Sequence, residues 1–216
     1  MEGMEETKRL LQLEFDVQHI NVLSRTNRKE HAVVRLIISS LATSEEIQSL
    51  KKDSIGAKSE NPTVSLTTPG KGRTIPIDEK TYNLLKDLTQ KMSRKERIFS
   101  YTDEDLDEIV NKYSPRRTKY NVKKVREAVM EILNDCMLLG DKDYVDELIK
   151  GKNSSGLKDF LYDFHPLYTG TWDIEDDEDV AREFILSYSS YNGIYEPEKI
   201  AEETGESEER VSKLLE

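Results

Sequence analysis

Apolar residues recur at helical spacing through most of this sequence, and that repeat restricts the fold more than any other feature. In the segment 122–136, for example, Val125, Val129 and Ile132 fall on one face of a helix. The repeat is interrupted once, between residues 63 and 77. The pattern therefore predicts a mainly α fold with one short β element.

The interruption has the sequence of a β-hairpin. Segments 63–67 (TVSLT) and 74–77 (TIPI) alternate in polarity, and Pro69-Gly70-Lys71-Gly72 joins them. Pro76 restricts the second strand to a sheet edge or to its own end. The predicted fold class is mainly α with a small β-hairpin or sheet (α+β).

Capping residues mark where the predicted helices begin and end. Thr43, Asp78 and Thr102 precede helical segments with acids in the first turn, and Gly140 and Gly151 follow helical segments. We expect 28–40 to be a strongly apolar helix and 121–139 to be the longest one. The first 27 residues are predicted to form a helix or strand that packs on the body.

Charge is spread unevenly along the chain. Of the 216 residues, 36% are hydrophobic and 35% charged, and the net charge is −11, which argues against a nucleic-acid-binding surface covering the whole protein. However, residues 112–126 carry seven Lys or Arg and no acid, whereas residues 173–179 are almost entirely acidic. Binding to DNA therefore requires a local basic face on an acidic body.

Several classes of site and location are not expected. Cys136 is the only cysteine, so neither an intramolecular disulfide nor a multi-cysteine zinc site is predicted. His19, His31 and His165 are too scattered for a metal site, and we expect no metal and no cofactor. No apolar run approaches the roughly 20 residues of a membrane span, and no signal peptide is evident, so we expect a cytoplasmic protein without a membrane partner.

Five short blocks occur in an informative order. They read SSLATSEEIQSLKKDSI, PGKGRTIPID, KKVREAVMEIL, LIKGKNS and FLYDF. In this order they resemble the catalytic domain of the tyrosine recombinases, the phage-type integrases, in a degenerate form. The resemblance covers roughly residues 28–168, and the GKG hairpin is its most specific part. It implies a DNA-binding partner and a role in DNA recombination or integration.

The resemblance also implies catalytic residues. In the family a tyrosine attacks a DNA phosphodiester, and arginines and a lysine hold the phosphate oxygens. Carried onto this chain, Tyr162 is the nucleophile, Lys71 the hairpin lysine and Arg126 the second arginine. Lys123 and Lys152 stand where the family has two histidines. Tyr168 is the less favoured nucleophile.

Departures from the family pattern point to impaired cleavage. The first arginine is expected near Ala42–Thr43, and neither residue can hold a phosphate. Both histidines are lysines, and only 27 residues precede the match, too few for the family's N-terminal DNA-clamping domain. The implied function is an integrase-like DNA-binding protein that cleaves weakly or not at all.

DNA contacts outside the catalytic set are expected in the basic run. The candidates are Arg116, Arg117, Lys119 and Lys124. The implied organisation is an N-terminal extension (1–27), an integrase-like catalytic domain (28–168) and a helical tail (169–216).

Three alternatives remain open at this point. A working recombinase would need Arg35 or Arg117 in the vacant arginine position. Residues 197–216 have a helix–turn–helix pattern, which would suit a transcription regulator, although the second helix is acidic. The overall acidity also fits a protein-interaction module, and a second copy of the chain, forming a homo-oligomer, is one of the partners that remain open.

Overall fold

The local patterns of the sequence form twelve α-helices among the residues that the structure describes. This computed structural model describes residues 2–57, 61–136, 143–152, 154–175 and 177–216. The helices are α1 (Glu2–Ser24), α2 (Arg28–Ser40), α3 (Ser44–Ser49), α4 (Glu79–Thr89), α5 (Asp103–Lys112), α6 (Val122–Cys136), α7 (Tyr144–Lys150), α8 (Ser155–Phe164), α9 (Pro166–Thr169), α10 (Glu178–Asn192), α11 (Pro197–Thr204) and α12 (Glu208–Leu215). The prediction of a mainly helical chain is confirmed.

The predicted N-caps are confirmed. Thr43 forms a capping box with Glu46, in which each side chain bonds the other residue's backbone N–H. Thr102 does the same with Asp105 at the start of α5, and the carboxylate of Asp78 accepts from the N–H of Thr81 at the start of α4. These caps fix where each helix begins.

The N-terminal segment forms the longest described helix. α1 has 23 residues and α6 has 15, so the prediction that residues 121–139 form the longest helix is wrong. The predicted end of that helix at Gly140 lies outside the described residues, as does the side chain of Cys136.

The hairpin forms as predicted but with longer strands. β1 (Thr63–Thr68) pairs antiparallel with β2 (Lys71–Pro76), and Thr68 opposes Lys71. The loop therefore contains only Pro69 and Gly70, and Gly70 has φ +79°, which glycine adopts without strain. Lys71 consequently lies on a strand and not at the tip of the loop.

Two clusters of buried apolar residues form the core. The larger one surrounds α2, where residues 32–38 are all buried, and the smaller one lies between α10, α11 and α12. α1 contributes Val17 and Ile20 to the larger cluster and Val22 to the smaller one. The N-terminal segment thus joins the two clusters, and burial of their apolar surface stabilises both.

Ion pairs also link distant parts of the chain, and those of Arg35 are buried. Arg35 on α2 is 1% exposed, and its terminal nitrogens lie 2.5 Å from Asp78 and 2.6 Å from Asp173. Arg25, just after α1, pairs with Glu175 at 2.8 Å and Glu206 at 2.6 Å. These contacts fasten the acidic segment around Asp173 to the helical body. Among the described helices, none combines the length and apolar character needed to cross a membrane.

Candidate functional site

A cavity of about 720 Å³ opens where the hairpin meets the helices α3, α6 and α7. Its lining includes four basic residues and two acidic ones. The lining residues are Thr43, Glu45, Glu46, Thr68, Gly70, Lys71, Gly72, Arg73, Arg126, Ile149 and Lys150.

Two of the residues predicted to hold phosphate meet in this cavity. Lys71 is the first residue of β2, and Arg126 lies in the second turn of α6. They are distant in sequence, so only the tertiary fold brings them to the same concave surface. Lys71 is exposed and can reach a bound anion.

Arg126 is held by a backbone carbonyl at the cavity wall. Its Nε donates to the carbonyl oxygen of Leu41 at 2.8 Å. Among the described residues, its two terminal nitrogens have no hydrogen-bond partner. Burial lowers the pKa of Arg126 and the nearby charge of Arg73 lowers it further, while Glu46 opposes the shift. A half-buried guanidinium with unused donors is suited to an anionic ligand.

Arg73 lies beside Arg126 but is already engaged. Its Nε and one terminal nitrogen donate to the two carboxylate oxygens of Glu46, at 2.7 and 2.8 Å. The terminal nitrogens also donate to the carbonyls of Leu148, at 2.9 Å, and Leu41, at 3.1 Å. Burial acts to raise the pKa of Glu46, but the hydrogen bonds and charge of Arg73 lower it below its usual value. The pair is therefore ionised, and it contributes little net charge to the cavity.

The end of α7 approaches the hairpin closely at Arg73. Gly151 follows α7 with φ +69°, and a Cβ added there would lie 2.3 Å from the Cβ of Arg73. Only a glycine fits this contact. It keeps Lys150 and Ile149 at the cavity rim.

The two lysines at the family's histidine positions do not line the cavity. Lys123 is exposed on α6 and lies 3.7 Å from Glu127. Lys152 is exposed, and its backbone N–H donates to the carbonyl of Glu147. Lys150, which the resemblance to the tyrosine recombinases did not identify, lines the cavity instead.

Tyr162 also lies away from the cavity. Its ring meets the ring of Tyr168 edge to face, with centroids 5.4 Å apart. The hydroxyl of Tyr168 donates to the carbonyl of Pro76. Pro76 is the last residue of β2 and lies roughly 16 Å along the strand from Lys71, the first residue. Burial raises the pKa of Tyr162, and the charges of Asp78 and Glu79 raise it further, which is unfavourable for a nucleophile.

Tyr168 is no better placed for attack. Its hydroxyl donates to the carbonyls of Pro76 at 2.9 Å and Ser39 at 3.4 Å, and burial raises its pKa well above the usual value. Among the described residues that line the cavity, there is no tyrosine.

The vacant arginine position is not filled by the residues proposed for it. Ala42 is fully buried, and the hydroxyl of Thr43 caps α3. Arg35 is enclosed by Asp78, Asp173 and Thr81, so the suggestion that it reaches the site is wrong. Arg117 is also engaged elsewhere, because its guanidinium lies 5.5 Å from the ring centre of Tyr191.

The basic run faces partly toward the C-terminal helices. Arg116 lies 3.3 Å from Glu203 on α11. The amino group of Lys124 donates to the carbonyl of Lys119 at 3.1 Å, in the turn before α6. The exposed members of this run retain a positive surface, but acids of the tail balance part of it.

The two C-terminal helices are joined by Gly205, which has φ +74°. Both basic residues of α12 are paired. Arg210 lies 2.8 Å from Glu206, and Lys213 lies 2.9 Å from Glu178. A major-groove helix normally presents free donors to base edges, so α12 is poorly equipped to read DNA.

Comparison with known proteins finds a relative in an archaeon. The chain is 39% identical over 211 residues to an uncharacterized protein of Archaeoglobus fulgidus, and the match covers 96% of this chain and 93% of that protein. No protein-family profile and no solved structure matches the chain.

Proposed function

We propose that this chain, which belongs to the same family as the uncharacterized Archaeoglobus fulgidus protein, is an integrase-like DNA-binding protein. The name of that relative gives no activity, so the proposal is based on the geometry of this chain. In this proposal the protein holds a backbone phosphate of DNA without cleaving the strand efficiently. The observation that carries the proposal is the shared cavity of Lys71 and Arg126. A phosphodiester is an anion with several acceptor oxygens, which suits an ammonium and a guanidinium with unused donors.

The lining of the cavity supports binding over catalysis. Glu46 neutralises Arg73, and Asp146 lies 2.6 Å from the amino group of Lys150, so Lys71 and Arg126 remain to attract an anion. One arginine with free donors is fewer than the two that hold the phosphate in the tyrosine recombinases, which this chain resembles. The raised pKa values of Tyr162 and Tyr168 act in the same direction.

The test is the salt dependence of DNA binding. A fluorescent DNA duplex is titrated with the protein at several salt concentrations, and the affinity is followed by anisotropy. Arg126→Ala and Lys71→Ala should each weaken binding and reduce the slope of log affinity against log salt by about 1, since each removes one phosphate contact.

Matched controls separate this site from general charge. Arg182→Ala and Lys91→Ala each remove one exposed positive charge outside the cavity. They should leave the slope unchanged. If they weaken binding as much as the cavity variants, nonspecific attraction accounts for it and the phosphate site is absent. Loss of binding in Lys213→Ala alone would instead favour the C-terminal helices as the DNA reader.

Strand cleavage is tested separately with a nicked suicide substrate, which traps a covalent phosphotyrosyl product. We expect no adduct with the unmodified protein. An adduct that disappears in Tyr162→Phe would contradict the proposed loss of cleavage and restore the working recombinase.

A further inference from the structure

The carbonyl of the buried residue Leu41 links two arginines that line the cavity. It accepts hydrogen bonds from both Arg126, at 2.8 Å, and Arg73, at 3.1 Å. Leu41 itself has φ +52° and ψ +35°, the only positive φ of a non-glycine residue among those described. Left-handed backbone is uncommon for a residue with a Cβ and persists only where its surroundings hold it.

Arg73 is one of the two side chains that bond the carbonyl of Leu41, and it also reaches two other segments. Its donors reach the end of α2 at Leu41, the start of α3 at Glu46 and the end of α7 at Leu148. The carboxylate of Glu46 fixes the orientation of the guanidinium by a two-point contact, and it also accepts from the backbone N–H of Thr43 at 2.9 Å. The segment that contains Leu41 is thereby fastened on both sides.

We propose that Glu46 and Arg73 are positioning residues for the phosphate site: they hold the Leu41 carbonyl, and that carbonyl orients Arg126 toward the cavity. This inference rests on the proposed function, since it concerns the same site. Glu46 touches no bound phosphate on this account and acts only through Arg73 and Leu41. Because the Nε of Arg126 donates to the carbonyl of Leu41, the two terminal nitrogens of Arg126 are the donors available to the ligand.

The inference predicts that removing the carboxylate of Glu46 weakens DNA binding, whereas simple electrostatics predicts that it tightens binding. Removing a carboxylate from an anion-binding cavity should tighten binding, because the local potential becomes more positive. Glu45 provides this reference, since it lines the same cavity and has no ion-pair partner among the described residues. Glu45→Gln should therefore bind the DNA duplex more tightly than the unmodified chain.

Glu46→Gln should do the reverse. Without the two-point contact, Arg73 and Leu41 lose their fixed orientation, and Arg126 loses its alignment. We expect roughly tenfold weaker binding, comparable to the loss of one charged hydrogen bond. Arg73→Lys keeps the charge but cannot reach all three segments, and it should weaken binding similarly.

A double-variant cycle distinguishes positioning from a general structural defect. If Glu46 acts through Arg126, Glu46→Gln combined with Arg126→Ala should bind no more weakly than Arg126→Ala alone. Circular dichroism at the binding temperature checks that each variant is folded, and Arg73→Lys takes the place of Glu46→Gln if that variant is not.

The outcomes separate the two proposals. If Arg126→Ala weakens binding while Glu46→Gln and Glu45→Gln both tighten it, the positioning role is overturned and the phosphate site stands. Additive effects in the double variant would also overturn it. If the unmodified chain binds the duplex with no dependence on Arg126, the proposed function fails and the positioning role fails with it.

Discussion

At the scale of single residues, Arg35 is the clearest case of a charge that the fold requires. Its guanidinium donates to Asp78, Asp173 and Thr81 in the protein interior. Burial opposes its charge, yet the two carboxylates raise its pKa. Burial likewise acts to raise the pKa of Asp78, but Arg35 and Thr81 lower it below its usual value. Each charge in the group is therefore stable only with its partners.

Replacing Arg35 should destabilise the protein strongly. Arg35→Met fills much of the same space but leaves Asp78 without a cation in the interior, while Asp173 keeps only Lys80, at 3.3 Å. We expect a loss of about 3–5 kcal/mol in the free energy of unfolding. Urea denaturation measures this, with Arg182→Met as the exposed control, which should change stability by no more than about 0.5 kcal/mol. A loss as small as that of the control would mean that Arg35 is not buried with both acids.

The histidines predict how stability depends on pH. Burial lowers the pKa of His19 and of His165 to about 4, and burial together with Arg35 lowers that of His31 to about 3. The unfolded chain, with an ordinary histidine pKa near 6.5, binds more protons than the folded chain below that pH. Stability should therefore fall as the pH falls from about 6.5 toward 4.

His165→Gln tests this dependence. Each buried histidine contributes a slope of up to about 1.4 kcal/mol per pH unit in this range. The variant should lose one such contribution, so its unfolding free energy should vary less steeply between pH 6.5 and 5 than that of the unmodified chain. Equal slopes would show that His165 titrates normally in the folded protein.

At the scale of secondary structure, the tight contact between α7 and β2 determines the shape of the cavity. Gly151 and Gly193 both end helices, with φ of +69° and +65°. An added Cβ at Gly193 meets nothing within 4 Å, whereas at Gly151 it would collide with Arg73. The two glycines thus share a backbone requirement and differ only in the space around them.

Alanine substitutions at Gly151 and Gly193 distinguish the cost of backbone strain from the cost of a steric collision with Arg73. Gly193→Ala should cost about 1–2 kcal/mol in the free energy of unfolding, the cost of a left-handed alanine. Gly151→Ala should cost more and should also weaken DNA binding, because α7 must move away from Arg73. Equal losses of stability, with no effect on binding, would mean that α7 does not pack against β2.

Much of the secondary structure could be predicted because its causes are local. Caps such as Thr43 and Asp78 act within one helical turn, and the hairpin loop depends on Pro69 and Gly70. The length of α1 could not be predicted, because its first turns are polar and their apolar residues show little helical spacing. The roles of Arg73 and Glu46 were missed for another reason. Both lie inside blocks that the sequence comparison quoted, but their contact joins segments 27 positions apart and depends on the fold.

At the scale of the whole molecule, the acidic charge and the proposed DNA binding are compatible if DNA meets only the local basic face at the cavity, and several acids are paired elsewhere. Glu175 and Glu206 bind Arg25, and Asp173 binds Arg35. Burial acts to raise the pKa of Glu175, but Arg25 and Lys80 lower it to about 2, so this carboxylate stays ionised and paired. The negative charges therefore stabilise the junction between α1 and the tail, while the cavity lies on the side of the hairpin.

The candidate site could be predicted from the sequence only in part. Lys71 and Arg126 are identified by motif, and their convergence follows from the positions of β2 and α6. Tyr162 matches the motif in order but not in space, because the segment after α7 leads toward the far end of β2. Lys152 also matches in order, but it does not line the cavity. Order along the chain predicts the part of the site next to the hairpin and does not predict the rest.

The most direct measurement is a crystal structure of the chain bound to a short DNA duplex. A backbone phosphate should lie within hydrogen-bond distance of the terminal nitrogens of Arg126 and of the amino group of Lys71, with the Leu41 carbonyl still bonded to the Nε of Arg126. A duplex seated on α12, with the cavity free of phosphate, would contradict the account.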